Sequence, residues 1–153
     1  MIALASDHGG LLLREAVRQL LTERGIPFED YGTDNGESVD YPDYGEKVAR
    51  NVAAGTVEKG ILVCGTGICM SIVANKFPQV RAALVTDTFM ARMAKEHNNA
   101  NILVLGGRVI NESEAREIVA TWLDATFEGG RHQGRLDKIA TLEREICRTG
   151  TRE

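Results

Sequence analysis

An apolar run, Gly60-Ile61-Leu62-Val63, ends at Cys64 and passes directly into Gly65-Thr66-Gly67-Ile68-Cys69. The run reads as a buried strand, the glycines as a tight turn, and the residues after Gly67 as the opening of a helix. Glycines let successive backbone N–H groups converge, and a helix start adds positive potential. The turn is therefore suited to an anion, or to an oxyanion that develops during a reaction. A thiol at such a place has its thiolate favoured and serves as base or nucleophile near neutral pH. The plainer alternative is a cysteine that acts as a small buried hydrophobe.

Three further groups carry polar chemistry. Asp7-His8-Gly9-Gly10 brings a carboxylate and an imidazole together after the first apolar run, suited to hydrogen-bonding hydroxyls and a phosphate, or simply to a capped turn. Arg131 and Arg135, with His132 between them, start the last helical pattern; their i, i+4 spacing puts both guanidiniums on one face, as a phosphate clamp or as ordinary surface charge. His97-Asn98-Asn99-Ala100-Asn101 comes just before the fifth apolar run, so it enters that strand from the end opposite Cys64. Either this cluster only stops a helix, or His97 reaches a neighbour's cleft, or the preceding helix carries it back across the top. A rival from another class is a noncatalytic nucleotide-binding module built on Gly65 and Gly67, with Asp87 as ribose-binding acid. Met70 takes the place of its third glycine, and Asp87 is more simply a helix cap.

The elements that must position these groups follow from periodicity. Strands are expected at Ile2–Ala5, Pro27–Tyr31, Gly60–Cys64, Arg81–Val85 and Ile102–Leu105; all are read as mostly apolar, a pattern that implies burial on both faces. Helical spacing joins Leu12, Leu13, Ala16, Val17, Leu20 and Leu21, stopped by Gly25, and then Val48, Ala49, Val52 and Ala53, stopped near Gly55. Further helices follow Gly67, run from Asp87 through Met90 and Met93 as core residues, and start at Asn111 with Glu114 as a capping pair. A sixth carries Leu136, Ile139, Leu142 and Ile146, a stripe assigned to a partner subunit in preference to the chain's own sheet. Alternating strands and helices give an α/β, doubly wound, Rossmann-like five-stranded parallel sheet with helices on both faces and a C-terminal helix reaching a partner. Ligands of such sheets sit beyond the carboxyl ends of the strands, where Cys64 and Asp7 fall.

Composition limits the rest. A chain of 153 residues, 43% hydrophobic and 26% charged, is one domain, taken as 1–148 with a frayed tail at 149–153. Its net charge of −4 argues against nucleic acid held by a global positive field, so an anion must be caught locally. Residues 131–153 hold six bases against four acids, a local excess of positive charge in an acidic chain. No apolar run approaches a membrane span, Asp7 and His8 interrupt any signal-peptide core, and the three cysteines Cys64, Cys69 and Cys147 lack zinc spacing. A cytoplasmic protein with reduced thiols, no metal and no membrane partner is expected.

Taken together, Ser6-Asp7-His8-Gly9-Gly10, Asp40-Tyr41-Pro42, Cys64-Gly65-Thr66-Gly67, Ser71-Ile72-Val73-Ala74-Asn75-Lys76, Arg92 through Asn98, and Gly129-Gly130-Arg131-His132 resemble the sugar-phosphate isomerase family of ribose-5-phosphate isomerase B and the galactose-6-phosphate isomerase subunits. The resemblance spans nearly the whole chain. It implies a cofactor-free aldose–ketose isomerase of the pentose phosphate pathway, acting on ribose 5-phosphate and ribulose 5-phosphate through a cis-enediolate. A phosphorylated hexose, allose or galactose 6-phosphate, is the nearest variant. It further implies a homodimer or dimer of dimers with shared active sites. By that likeness Cys64 is the base, and His97, with Asp7 and Thr66, handles hydroxyl protons and ring opening. Gly65, Thr66, Gly67, Ile68 and Cys69 supply N–H donors, while Asp7, His8, Tyr41 and Asn98 hold hydroxyls. Arg108, Arg131, His132 and Arg135 gather around the phosphate. Some members use a glutamate where this chain has Met70, which leaves Cys64 as the base. Cys69 stands where the family usually has glycine; a positive φ there would make its Cβ costly.

Overall fold

The structure, a computed structural model, describes residues 1–149. The strands are β1 (Ile2–Ser6), β2 (Phe28–Asp30), β3 (Lys59–Cys64), β4 (Ala82–Leu84) and β5 (Ile102–Gly106). The helices are α1 (Leu11–Glu23), α2 (Tyr41–Ala53), α3 (Ile68–Ala74), α4 (Thr88–Glu96), α5 (Glu112–Asp124) and α6 (Arg131–Thr149). The expected frayed tail lies, beyond Thr149, outside the described residues. The sheet is parallel throughout, in the order β2-β1-β3-β5-β4, and Cys64 is in register with Gly106.

Alternation along each strand sends side chains to two cores. Leu4, Ile61, Val63, Leu103 and Leu105 face α1, α4 and α5, with Trp122 and Ile118 packed among them. Ala3, Ala5, Leu62, Cys64 and Val104 face α2 and α3. Burial on both faces, expected of all five strands, holds for β1, β3 and β5. It fails for β2 and β4, which are edges and only partly covered.

The helix ends follow the sequence signals. Gly25 and Gly55 adopt φ of 64° and 71°, the left-handed turn that lets the chain leave a helix. Asn111 and Glu114 form a reciprocal capping box. Two assignments need correction. Leu12 is 74% exposed, because it lies outside the face on which α1 buries Leu13, Ala16, Val17, Leu20 and Leu21. Met90 and Met93 are not core: Met90 is exposed, Met93 is half-buried, and both line a cavity of about 550 Å³ between β4, α4 and α6. Leu136 of α6 is buried beside that cavity, whereas Ile139 and Leu142 are exposed. Among the described residues no helix is long and apolar enough to cross a membrane.

Candidate active site

Three strand-end loops press on one another backbone to backbone. A Cβ added at Gly9 would meet Gly65 N at 3.0 Å, one at Gly10 would meet Val63 at 2.8 Å, and one at Gly107 would meet Gly9 O at 2.3 Å. Gly107 and Arg108 N–H donate to the carbonyls of Cys64 and Gly65 at 2.7 and 2.9 Å, tying β5's exit to β3's. Only residues without side chains allow such an approach. Gly67 takes φ of 81°, and a Cβ there would lie 2.3 Å from Leu84.

Cys64 sits inside this knot. Its sulfur accepts the Gly67 N–H at 3.1 Å and the Cys69 S–H at 2.7 Å. Asp7 offers a carboxylate oxygen to the same group, the three ligand atoms lying within 4.8 Å of one another. Asp7 is buried, and its Oδ1 accepts the Gly9 N–H at 2.8 Å. The sulfur therefore has polar company, but Cys64 is 0% exposed within the single chain, and the half-buried Cys69 thiol lies against it. Burial, the contact with Cys64 and the nearby Asp7 push the Cys69 thiol up to about 12, so Cys69 keeps its proton and acts as the donor of the pair. Cys69 lies in the first turn of α3 with no positive φ; the conformation that demands glycine falls at Gly67, so the Cβ strain considered for Cys69 does not arise.

The turn is partly committed to its own structure. Gly67 N–H points at the sulfur, and Ile68 N–H donates to Thr66 Oγ1 at 3.3 Å. His8 Nδ1 accepts the Val39 N–H at 3.2 Å, which leaves Nε2 to carry the ring proton of a neutral imidazole and pins the loop before α2. Tyr41 opens α2 and is exposed, as is Arg108, whose guanidinium borders Gly65. Asp87 caps α4 by accepting the Met90 N–H at 2.7 Å, the simpler of the two roles weighed for it, and buried Met70 fills the third-glycine place.

The remaining site residues stand elsewhere. His97 is the C-cap of α4, before β5 begins, whereas Cys64 pairs with the residue that ends β5. Around His97 lie exposed Asn98 and the start of α6, with Glu128 N–H donating to Glu96 O at 3.0 Å. The rings of His97 and His132 stack at 4.2 Å, inclined by 11°. Glu128 Oε2 is 3.3 Å from His132 Nε2 and 3.9 Å from His97 Nε2. His132 is 4% exposed and its Nε2 has no hydrogen-bond partner; burial first, then His97 and Arg131, hold it below the ordinary imidazole value against the pull of Glu128. Arg131 and Arg135 project into solvent beside it. Glu128 is the residue that sequence reasoning missed; the available signal was its i, i+4 spacing to His132 across Gly129 and Gly130.

Among the described residues a metal has two places with suitable atoms, Asp7–Cys64–Cys69 and His97–Glu128–His132. In the second the parallel rings send their nitrogen lone pairs side by side instead of toward one point, which suits hydrogen bonding better than chelation.

A parallel α/β sheet with a thiol, a carboxylate and a glycine turn at its strand ends defines an enzyme of small polar substrates. The chain belongs to the ribose/galactose isomerase family, whose model matches residues 2–139, and it is an aldose–ketose isomerase. It is 44% identical to ribose-5-phosphate isomerase B of Escherichia coli, over 93% of this chain and 95% of that protein. A Bacillus subtilis protein named only provisionally as a sugar phosphate isomerase is 52% identical, over 93% and 96%. Among solved structures, ribose-5-phosphate isomerase B of Clostridium thermocellum superposes with a TM-score of 0.92 at 50% identity, covering 95% of this chain and 98% of that one.

Proposed function

We propose that this chain interconverts ribose 5-phosphate and ribulose 5-phosphate through a cis-enediolate, a step of the pentose phosphate pathway, with Cys64 as base in clefts shared by two copies. The observation that carries the reading is the Cys64 sulfur held by Gly67 N–H and Cys69 S–H beside the Asp7 carboxylate. A C–H next to a carbonyl is too weak an acid for a thiolate unless the new oxyanion is stabilised as it forms, so base and N–H donors must be neighbours. Cys64 moves the proton between C2 and C1, and the turn from Gly65 to Cys69 faces the enediolate oxygen. Asp7, His8 and Tyr41 hold hydroxyls, and Arg108 meets the anionic end from this side.

The other half comes from a second copy: its His97, with Asp7 and Thr66, moves hydroxyl protons and opens the ring. Asn98 holds a hydroxyl, and Arg131, His132 and Arg135 bind phosphate. Two observations support the sharing. Within one chain the His97 group and Cys64 lie at opposite ends of β5, roughly 13 Å apart along the strand at ~3.3 Å per residue. The chain also exposes Ile68 and Ile72 on α3, Phe89 on α4, and Ile139 and Leu142 on α6, apolar surface of the kind a subunit contact covers. On this reading α6 reaches the second copy, and the fully buried sulfur becomes accessible when the Cys69 side chain turns aside. A cytoplasmic setting, which keeps thiols reduced, goes with it.

The test is an aldose–ketose assay of the purified chain on ribose 5-phosphate, with allose and galactose 6-phosphates alongside. Cys64→Ala, with an unchanged circular dichroism spectrum, is expected to lose on the order of 10³-fold in kcat. Undiminished turnover in that variant would remove Cys64 as base, and faster turnover of a hexose phosphate would reassign the substrate.

A further inference from the structure

We propose that Cys64 and Cys69 form a reversible intrachain disulfide, closed by a hydroperoxide and opened by a dithiol, that switches the isomerase off. The switching rests on the reading of Cys64 as base; the closure itself does not. The two sulfurs are 2.7 Å apart, well inside ordinary sulfur–sulfur contact and only about 0.7 Å beyond the length of the bond. They sit at the end of β3 and in the first turn of α3, five residues apart, so closure joins elements already packed together.

The polarity of the pair suits the reaction. Cys69 donates its S–H toward Cys64, whose sulfur, the proposed base, is the attacking atom. Cys64 attacks one oxygen of the hydroperoxide; the S–O bond forms, the O–O bond breaks, and the alcohol, or water from hydrogen peroxide, departs. The Cys69 sulfur then attacks the sulfenic acid on Cys64. The S–S bond forms, the S–O bond breaks, and the hydroxide leaves with the Cys69 proton as water. Two thiols lose two electrons, and the peroxide gains them. A dithiol reverses the change by exchange and becomes a disulfide itself. Access raises no separate demand, since a route that admits a sugar carbon to the Cys64 sulfur admits hydrogen peroxide. Closure consumes that sulfur's lone pair and draws Cys69 across the turn whose N–H groups face the substrate.

Trypsin makes the measurement direct, because residues 60–76 form one peptide that contains Cys64 and Cys69 and not Cys147. After hydrogen peroxide, that peptide is expected to be lighter by two hydrogens, in proportion to the activity lost, and dithiothreitol is expected to restore both mass and activity. Ribose 5-phosphate present during the treatment is expected to slow closure. In Cys69→Ser, measured against its own untreated rate, peroxide is expected to add oxygen to Cys64 and to cause a loss that dithiothreitol does not fully reverse. Loss of activity with added oxygen and no two-hydrogen loss in the wild-type chain would overturn the disulfide while leaving Cys64 as base intact. Full closure with undiminished turnover would overturn the switch through the base assignment, which Cys64→Ala tests independently.

Discussion

The two ends of the central strands hold their chemical groups by different means. At the carboxyl ends, Gly9, Gly65 and Gly107 bring backbone onto backbone, and Cys64 and Asp7 are buried within that contact. At the other end, His97 stands at a helix terminus, stacked on His132, while Arg131 and Arg135 extend into solvent. The first arrangement fixes atoms to fractions of an ångström, as proton transfer at carbon requires. The second offers charge on long side chains that, on the proposed reading, adjust to a phosphate, for which position matters less than sign.

The two ends separate most sharply when each is disabled in its own chain and the chains are then mixed. Cys64→Ala and His97→Ala should each lose most activity, with kcat down by about 10²- to 10³-fold. Reassorted together, the two inactive chains should regain about one quarter of wild-type activity, because half of the dimers are hybrids with one intact cleft of two. A mixture as inactive as its parents would place the whole site within one chain.

A smaller effect sharpens the phosphate end. Arg131→Ala combined with Arg135→Ala should raise KM for the phosphosugar roughly 10- to 100-fold, the scale of lost charge-assisted hydrogen bonds, while thermal stability stays unchanged. An unaltered KM would move the phosphate away from α6. Gly67→Ala probes the rigid end instead. A left-handed residue gains a Cβ aimed at Leu84, so stability should fall by at least about 1 kcal/mol in chemical denaturation, with activity reduced as the N–H leaves the Cys64 sulfur.

The mildest effect concerns acid. His132 is held below its unfolded value, so the folded chain binds fewer protons than the unfolded one in the window just beneath that value, about 6.5. Its contribution to stability is therefore complete above that pH and declines as pH falls through it toward the lowered folded value. His132→Gln should flatten the decline in Tm between about pH 7 and 5, and a profile parallel to wild type would show that the ring does not titrate in that way.

Much of this was legible beforehand because it depends on local pattern. Apolar runs mark β1, β3, β4 and β5, and Gly25, Gly55, Asp87 and Asn111 mark helix ends through chemistry contained in a few residues. The strand-end rule located Cys64 and Asp7 in one place without knowledge of distances. What stayed hidden depends on tertiary approach. Nothing in the spacing of Cys64 and Cys69 states that α3 turns its first residues back over the strand end, and nothing near His97 announces Glu128. The edge positions of β2 and β4 follow from strand order, which periodicity does not encode. Leu12 and Met90 misled because an apolar residue beside a stripe looks the same whether it meets the core or a groove.

The interlocked glycines also set where this scaffold is able to diversify. A side chain introduced at Gly10 or Gly107 would wedge its neighbours apart, so this end of the sheet resists piecemeal remodelling. Altered sugar preference in descendants of this chain should accordingly accumulate on the loop before α2 and at exposed positions near His97, such as Asn98, Arg131 and Arg135.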